Sequence, residues 1–283
     1  MKSITKKAYG KINLILKVGK KRDDGKHEVL TVMQKVGVFD TVTICETAEN
    51  GISIECSVPS LANADNIAYK AAKSYFEAAS LVPSIKISIE KRIPVTAGMA
   101  GGSTDAGAVL TVLEETYGAL GSDGIYKIAA SLGSDVPFFI YDDVAMLGKG
   151  SGDVLTPFPS FTFELYGLFV TDITEKPSTG EMYRMLDETK GDTACDLSER
   201  EIELKKAIDG NSFTAALSCL CNDFELCNGH FSAISEELKS RGAVKTLLCG
   251  SGPTVCGFFT DEKTAKAAAE SLPYGNFVCK LIP

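Results

Sequence analysis

The sequence predicts an α+β fold, and three observations carry that prediction. Strand-type and helix-type hydrophobic periods are mixed along the chain, without the strict alternation of a doubly wound sheet. A length of 283 residues suits about two domains or one large one. The pattern pauses around Pro157 and Pro159, a candidate boundary that divides the chain into 1–157 and 158–283.

Taken in order, residues 8–18 read as a strand. Ala8, Gly10, Ile12, Leu14, Leu16 and Val18 share one face, and Lys11 and Asn13 are neighbours on the other. A charged turn, Lys-Lys-Arg-Asp-Asp-Gly-Lys at 20–26, leads to His27. Strand signals follow at 29–36 and 41–45, and Asp65-Asn66 precedes a helix signal through Ile67, Ala71, Ala72, Tyr75 and Phe76. Ile85, Ile87 and Ile89 alternate with polar residues, the period of a half-buried strand. Ala106, Val109, Leu110, Leu113 and Tyr117 recur as one helix face, and a further helix through Ile125, Ile128, Ala129 and Leu132 ends at Gly133. The run 136–140 reads as a buried strand. Beyond the prolines come a strand at 163–170, three or four helices, strands at 244–249 and 255–259, a helix through Ala265, Ala268 and Leu272, and a last strand at 277–282.

Between the strand ending near residue 90 and the helix beginning near residue 103 lies Ile93-Pro94-Val95-Thr96-Ala97-Gly98-Met99-Ala100-Gly101-Gly102-Ser103-Thr104-Asp105. A loop poor in bulky side chains exposes backbone N–H groups, and a helix N-terminus adds about half a positive charge. Ser103, Thr104 and Asp105 are residue types that cap a helix start. The combination predicts an anion site, phosphate first, with a plain tight turn as the alternative. No lysine follows Gly102, so this is not a Walker A loop, and G-x-G-x-x-G is absent too.

Four other features bear chemistry. Lys11 could neutralise a transferring phosphoryl group or a developing alkoxide; such a lysine is more often a solvated edge residue. Asp135 could accept a hydroxyl proton or simply cap a turn. His27, one of 2 histidines, could donate to or stack on a ring ligand, or sit idle in a surface loop; His230 is assigned no role. Cys249-Gly250-Ser251-Gly252-Pro253 reads as hairpin geometry or as a second closure of the phosphate site.

Composition excludes several classes. A net charge of -8 argues against nucleic-acid binding, which needs a basic face. No apolar run approaches the roughly 20 residues that span a bilayer, and the run at 12–16 is too short for a signal peptide. The expected compartment is the cytosol. The 9 cysteines are scattered without C-x-x-C spacing, which predicts buried free thiols rather than disulfides or zinc.

Together these motifs resemble one family, the GHMP kinases, along almost the whole chain. Lys11-Ile12-Asn13-Leu14 resembles its K-I-N-L strand, Asp24-Gly25-Lys26-His27-Glu28 its D-G-Y-H-E turn, and Asp65-Asn66-Ile67 its D-N-L helix start. The loop 94–104 resembles P-x-x-x-G-L-x-G-G-S-S, and residues 132–137 resemble L-G-A-D-V-P. Asn222-Asp223-Phe224-Glu225 is similar to N-D-L-E, and Gly250-Ser251-Gly252-Pro253-Thr254 to the third family motif. K-I-N-L, G-x-H-E and L-G-x-D-V-P narrow the resemblance to the branch acting on 4-diphosphocytidyl-2-C-methyl-D-erythritol in non-mevalonate isoprenoid biosynthesis.

The resemblance implies an N-terminal ATP-loop domain and a C-terminal ferredoxin-like α/β sandwich. It implies ATP-dependent phosphorylation of the 2-hydroxyl of that substrate, with Mg²⁺ bridging phosphate oxygens and no protein ligand assigned to the metal. Lys11 and Asp135 are implied as the catalytic pair, the loop 94–104 as the phosphate binder, and Asn66 as a neighbour of the nucleotide. Asn13 and His27 are implied as substrate contacts, His27 reading the cytosine edge. Tyr183 is implied to stack on the cytosine, with Thr179 near it and Gly250, Ser251 and Gly252 on the substrate side. Lys26 stands where the family has a stacking Tyr, so one face of the cytosine clamp is missing and a lysine ammonium faces the diphosphate instead; weaker substrate binding is expected. Ala97 and Met99 stand where Gly and Leu are frequent, and the glycines that most need positive φ are expected to be retained. The expected assembly is a monomer or weak homodimer. Another small-molecule kinase of the family, for homoserine or a mevalonate derivative, is argued against by the Gly-Lys-His turn with Asn13. A non-catalytic nucleotide-binding protein is argued against by the presence of both Lys11 and Asp135.

Overall fold

The first strand, β1 (Ser3–Lys21), extends beyond the predicted 8–18 in both directions. The structure is a computed structural model and describes residues 3–171, 177–190 and 198–282. After β1 come β2 (His27–Glu46), β3 (Gly51–Cys56), α1 (Ile67–Ala79), β4 (Ser84–Glu90), α2 (Gly101–Tyr117), α3 (Gly121–Leu132) and a 3-10 helix (Val136–Ile140). Then follow β5 (Ala145–Lys149), β6 (Val154–Pro157), β7 (Tyr166–Thr171), α4 (Thr179–Lys190), α5 (Glu199–Asp209), α6 (Phe213–Cys219), β8 (Cys221–Asn222) and α7 (Phe231–Ser240). β9 (Lys245–Leu248), β10 (Val255–Phe259), α8 (Glu262–Glu270) and β11 (Gly275–Lys280) close the chain.

Two expectations are corrected. The separate strands at 29–36 and 41–45 are one strand, β2, because nothing between them breaks the extended backbone. Gly37 sits in its middle, where a Cβ would lie 2.7 Å from the Lys280 carbonyl oxygen. The run 136–140 is a 3-10 helix rather than a strand, since Pro137 near its start fixes φ and removes a ladder donor. β3, β5, β6 and β8 had no counterpart in the periodicity.

The chain forms two compact units, and neither is a single stretch of sequence. The first comprises 1–10, 38–95 and 100–142; the second comprises 11–37, 96–99 and 143–283. β1 and β2 each contribute to both.

In the first unit, the C-terminal half of β2 pairs antiparallel with β4, and β3 pairs parallel with β4. Alternation puts Ile85, Ile87 and Ile89 into a core with Val42 and Ile44 from β2 and the faces of α1, α2 and α3. α2 is buried on every side from Thr104 to Leu113, so the single face read from its period is only part of it, and Tyr117 lies outside the buried stretch. Gly107 explains how the 3-10 helix reaches α2: a Cβ there would fall 2.5 Å from Phe139 Cβ. Ser103, Thr104 and Asp105 do not cap α2. The helix begins at Gly101, after Ala100 in the left-handed region, with no side-chain cap.

In the second unit, the N-terminal half of β2 pairs antiparallel with β5, and β5 with β6. β1 pairs parallel with β8 through Ile15 and Leu16. A separate four-stranded sheet has the order β11-β7-β10-β9, with every pairing antiparallel. Numbered by sequence that order is 4-1-3-2, the arrangement of a ferredoxin-like sandwich. Its inner residues, including Leu168, Val170, Val255 and Phe259, share a core with α4, α7 and α8. No disulfide joins the described cysteines; only Cys219, Cys249 and Cys256 are buried, so the expectation of buried thiols holds for three. No described helix is long and apolar enough to cross a membrane.

Gly107→Ala is expected to destabilise the chain by about 1–3 kcal/mol, the usual result of overpacking. Urea denaturation measures it; an unchanged midpoint would mean that Phe139 does not press on α2.

Candidate active site

On β1, both faces are buried where Lys11 and Asn13 lie. Each is 3% exposed, which removes the solvated-edge reading of Lys11. A buried amine needs a partner. Lys11 Nζ donates to Asn13 Oδ1 at 2.7 Å, Asn13 Nδ2 donates to Thr31 Oγ1 at 2.8 Å, and the Thr31 hydroxyl donates to the Ile15 carbonyl at 2.9 Å. The lysine is thus one end of a polar chain linking β1 and β2 within the second unit.

His27 opens β2 and is 8% exposed, not a surface-loop residue. Its Nε2 lies 2.9 Å from Asp187 Oδ1, and its ring stacks on Tyr183 at 4.9 Å with planes 12° apart. Phe224 meets Tyr183 edge-on at 5.0 Å. One helical turn of α4 therefore supplies both the ring and the carboxylate that fix the imidazole plane. Lys26, beside it, is exposed, with its backbone N–H on Asp24. Asp223 sets the height of α4: it receives Lys17 Nζ at 2.8 Å, Lys190 Nζ at 2.6 Å and the Val18 N–H at 2.8 Å. Burial pushes its carboxyl up, but the hydrogen bonds from the two lysines outweigh this and hold it below the ordinary range.

The hairpin between β9 and β10 turns at Gly250 and Gly252, with φ of 57° and 85°. Asn222 Nδ2 holds it by donating to the Leu248 and Gly250 carbonyls at 2.8 and 2.7 Å, and Glu225 Oε1 accepts from the Leu248 N–H at 2.9 Å. Ser251 Oγ lies 3.3 Å from Thr179 Oγ1. Residues 96–99 press against this turn: a Cβ on Gly98 would stand 2.2 Å from the Cys249 carbonyl oxygen. On the other side the Lys11 N–H donates to the Met99 carbonyl at 3.2 Å.

The rest of the loop belongs to the first unit. Pro94 and Val95 leave β4, and Ala100, Gly101, Gly102, Ser103 and Thr104 enter α2. The left-handed positions are Thr96, Gly98 and Ala100, at φ 63°, 74° and 59°. Gly98 is the one loop glycine at positive φ, Gly101 and Gly102 are helical, and Thr96 and Ala100 take the left-handed region without being glycine. Ala97 and Met99 are buried. Asn66 caps α1, accepting from the Ala68 N–H at 2.9 Å, and a Cβ on Gly102 would touch Ile67 at 3.2 Å, so α1 and α2 start side by side. Asp135 is half-buried at the head of the 3-10 helix and makes no cap bond to it.

Sequence reasoning missed one cluster. Lys91 Nζ meets Asp40 Oδ2 at 2.5 Å and Asp105 Oδ2 at 2.6 Å, all three nearly out of solvent. Burial lowers the Lys91 pKa, but the two carboxylates overcome this and raise it. Burial pushes the Asp105 carboxyl up to about 7 against the pull of Lys91, and Asp40 adds to the rise. Asp187 was also missed, lying 160 residues from His27, and Asp223 was seen only as part of a motif, without its partners Lys17 and Lys190, 206 and 33 residues away.

The chain has counterparts among known proteins. Residues 66–143 match the GHMP kinases N terminal domain and residues 199–276 match GHMP kinases C terminal. A 4-diphosphocytidyl-2-C-methyl-D-erythritol kinase of Acetivibrio thermocellus is 36% identical, over 99% of this chain and 98% of that protein. One of Clostridium botulinum (strain Eklund 17B / Type B) is 35% identical over 94% of both. A crystal structure of 4-(cytidine 5'-diphospho)-2C-methyl-D-erythritol kinase superposes with a TM-score of 0.81 at 26% identity, over 99% of this chain and 100% of that one. Mevalonate kinase of L. major, at 15% identity and a TM-score of 0.73 over 99% and 97% of the chains, shares the fold.

Asp105 titrates higher in the folded chain than the ordinary 3.8, so between that value and about 7 the folded chain binds more protons than the unfolded one. Its contribution to stability is full at low pH and is lost as pH rises through about 7. Glu225, which burial also pushes up to about 7, acts in the same direction. Tm is expected to fall from about pH 5 to about pH 7 and to level off above that, and Asp105→Asn to flatten part of the fall; scanning calorimetry at several pH values measures both.

Proposed function

The chain belongs to the GHMP kinases, and on that premise we propose that it transfers the γ-phosphoryl group of ATP to the 2-hydroxyl of 4-diphosphocytidyl-2-C-methyl-D-erythritol. One observation carries the phosphoryl-transfer reading: the Lys11 amine, 3% exposed and held at 2.7 Å by the Asn13 carboxamide. An amine removed from water interacts far more strongly with developing charge than a solvated one. The choice of acceptor rests on His27, whose plane is set by Asp187 and Tyr183, and on near-full-length similarity to enzymes that carry this substrate in their names.

Phosphoryl transfer has a loose transition state, so positioning and charge stabilisation dominate. In this reading Asp135 orients the acceptor hydroxyl and takes its proton late, and Lys11 stabilises the transferring group. Backbone N–H groups of the loop 94–104 and the start of α2 hold the phosphates, with Asn66 beside the nucleotide. His27 reads the cytosine edge through Nδ1 or the carboxylate-bound Nε2, and Asn13, Thr179, Tyr183 and the 250–252 turn line the substrate side. Lys26 faces the diphosphate. Mg²⁺ enters only as a companion of the phosphates: among the described residues no three His, Cys, Asp or Glu side chains converge on an ion, and no step is assigned to it. The family division at 157/158, cytoplasmic location and a monomer or weak homodimer complete the proposal.

A coupled ADP-release assay with the cytidyl substrate is expected to show turnover, and Asp135→Asn to lower kcat at least about a hundredfold. No turnover by the wild type, or near-normal turnover by the variant, would overturn the reading. His27→Ala is expected to raise KM for the cytidyl substrate about tenfold while KM for ATP stays within about twofold. A rise confined to ATP would mean that His27 does not face the acceptor.

A further inference from the structure

We infer that Lys91 is a positioning residue for this phosphoryl transfer, tying together the two anchored ends of the loop 94–104. The inference rests on the kinase reading of that loop.

At one end, Asp40 Oδ1 accepts from the Arg92 and Ile93 N–H groups at 2.5 and 2.8 Å, which fixes the backbone immediately before Pro94. At the other end, Asp105 is the fifth residue of α2. Lys91 Nζ bridges the two carboxylates. The same ammonium lies against the first residue of α2, since a Cβ on Gly101 would come within 3.3 Å of Nζ. A cation beside a helix N-terminus is unfavourable by itself. Two carboxylates make the position tenable, and they also make it directional, because ionic hydrogen bonds weaken steeply off axis. Asp105 Oδ1 makes no hydrogen bond, so this carboxylate is held through Oδ2, which receives Lys91 beside the Asp40 carboxyl.

The span held this way is strained. Thr96 and Ala100 occupy the left-handed region, which costs a non-glycine residue roughly 1–2 kcal/mol. Such conformations persist when the surroundings over-determine them. An apolar residue at 91 would fill the volume but would not hold Asp40 and Asp105 at fixed distances, and the loop's N–H groups would lose their common aim. The expected loss is therefore in nucleotide binding, not in acceptor binding.

The test uses the full chain with Lys91→Met, Lys91→Arg and, should Lys91→Met not fold, Asp105→Asn. ADP affinity is read by calorimetry, and KM for ATP and for the cytidyl acceptor by ADP release. Lys91→Met is expected to weaken ADP binding and raise KM for ATP by roughly tenfold to a hundredfold, with the acceptor KM within about twofold and Lys91→Arg restoring most of the loss. Asp105→Asn is expected to shift ADP affinity in the same direction. Unchanged ADP affinity in folded Lys91→Met, an equal rise in both KM values, or no ADP binding by the wild type overturns the inference. If the wild type binds ADP with this dependence on Lys91 yet phosphorylates a different alcohol, the acceptor assignment falls and the role of Lys91 stands.

Discussion

Taking charge out of water is the constraint on which this structure depends. Lys11, Asp40, Asp105 and Asp223 are all buried, and an ion left unpaired in such a place costs several kcal/mol. Asp40, Asp105 and Asp223 are each met by a lysine from another part of the chain, and Lys11 is met by the Asn13 carboxamide on its own strand. Asp223 lies 206 positions from Lys17, and Asp187 lies 160 from His27. These pairings do more than neutralise. By receiving Lys17 from β1 and Lys190 from the end of α4, Asp223 fixes the helix that presents Tyr183 and Asp187 to His27. A surface ion pair could not impose such a register, because its partners remain soluble apart.

A second constraint is contact between backbones. Residue 98 runs against the turn after β9, and residue 107 runs against the 3-10 helix that begins after Asp135. In both places the neighbour sits where a Cβ would be, at 2.2 and 2.5 Å. These two glycines are therefore requirements of tertiary approach. Gly101 and Gly102 lie in ordinary helix, where a Cβ would meet Ile93 and Lys91, or Ile67, at 3.2–3.3 Å, so their lack of side chains serves packing and not conformation.

Much of the fold was legible. Alternating isoleucines gave β4, the three-and-four spacing gave α1 and α3, and Gly133 ended α3 as read. The loop 94–104, Lys11 and His27 stood out because small or polar residues interrupted apolar patterns. What could not be read was the state of those polar residues. Lys11 looked solvated because its alternate neighbours are apolar, yet β1 is covered on both faces. The Lys91 cluster escaped because its three members are 51 and 14 positions apart and none falls in a recognisable spacing. An aspartate at 40 within a long strand was the available sign, since an ion in an apolar run has to find a counter-ion. The 3-10 helix at 136–140 was misread because five buried residues carry too little period to distinguish a strand from a tight helix, and only Pro137 argued otherwise.

The thiols of Cys249 and Cys256 lie on either side of the turn that receives Gly98, fully out of solvent, and burial pushes both well above the ordinary thiol range. In that state neither supplies a thiolate to an alkylating reagent. Their modification then has to wait for the sheet to open, so the labelling rate at these two positions, followed apart from the more accessible thiols, records how often β9 and β10 part. The molecule carries, at the turn against which Gly98 packs, its own clock of local opening.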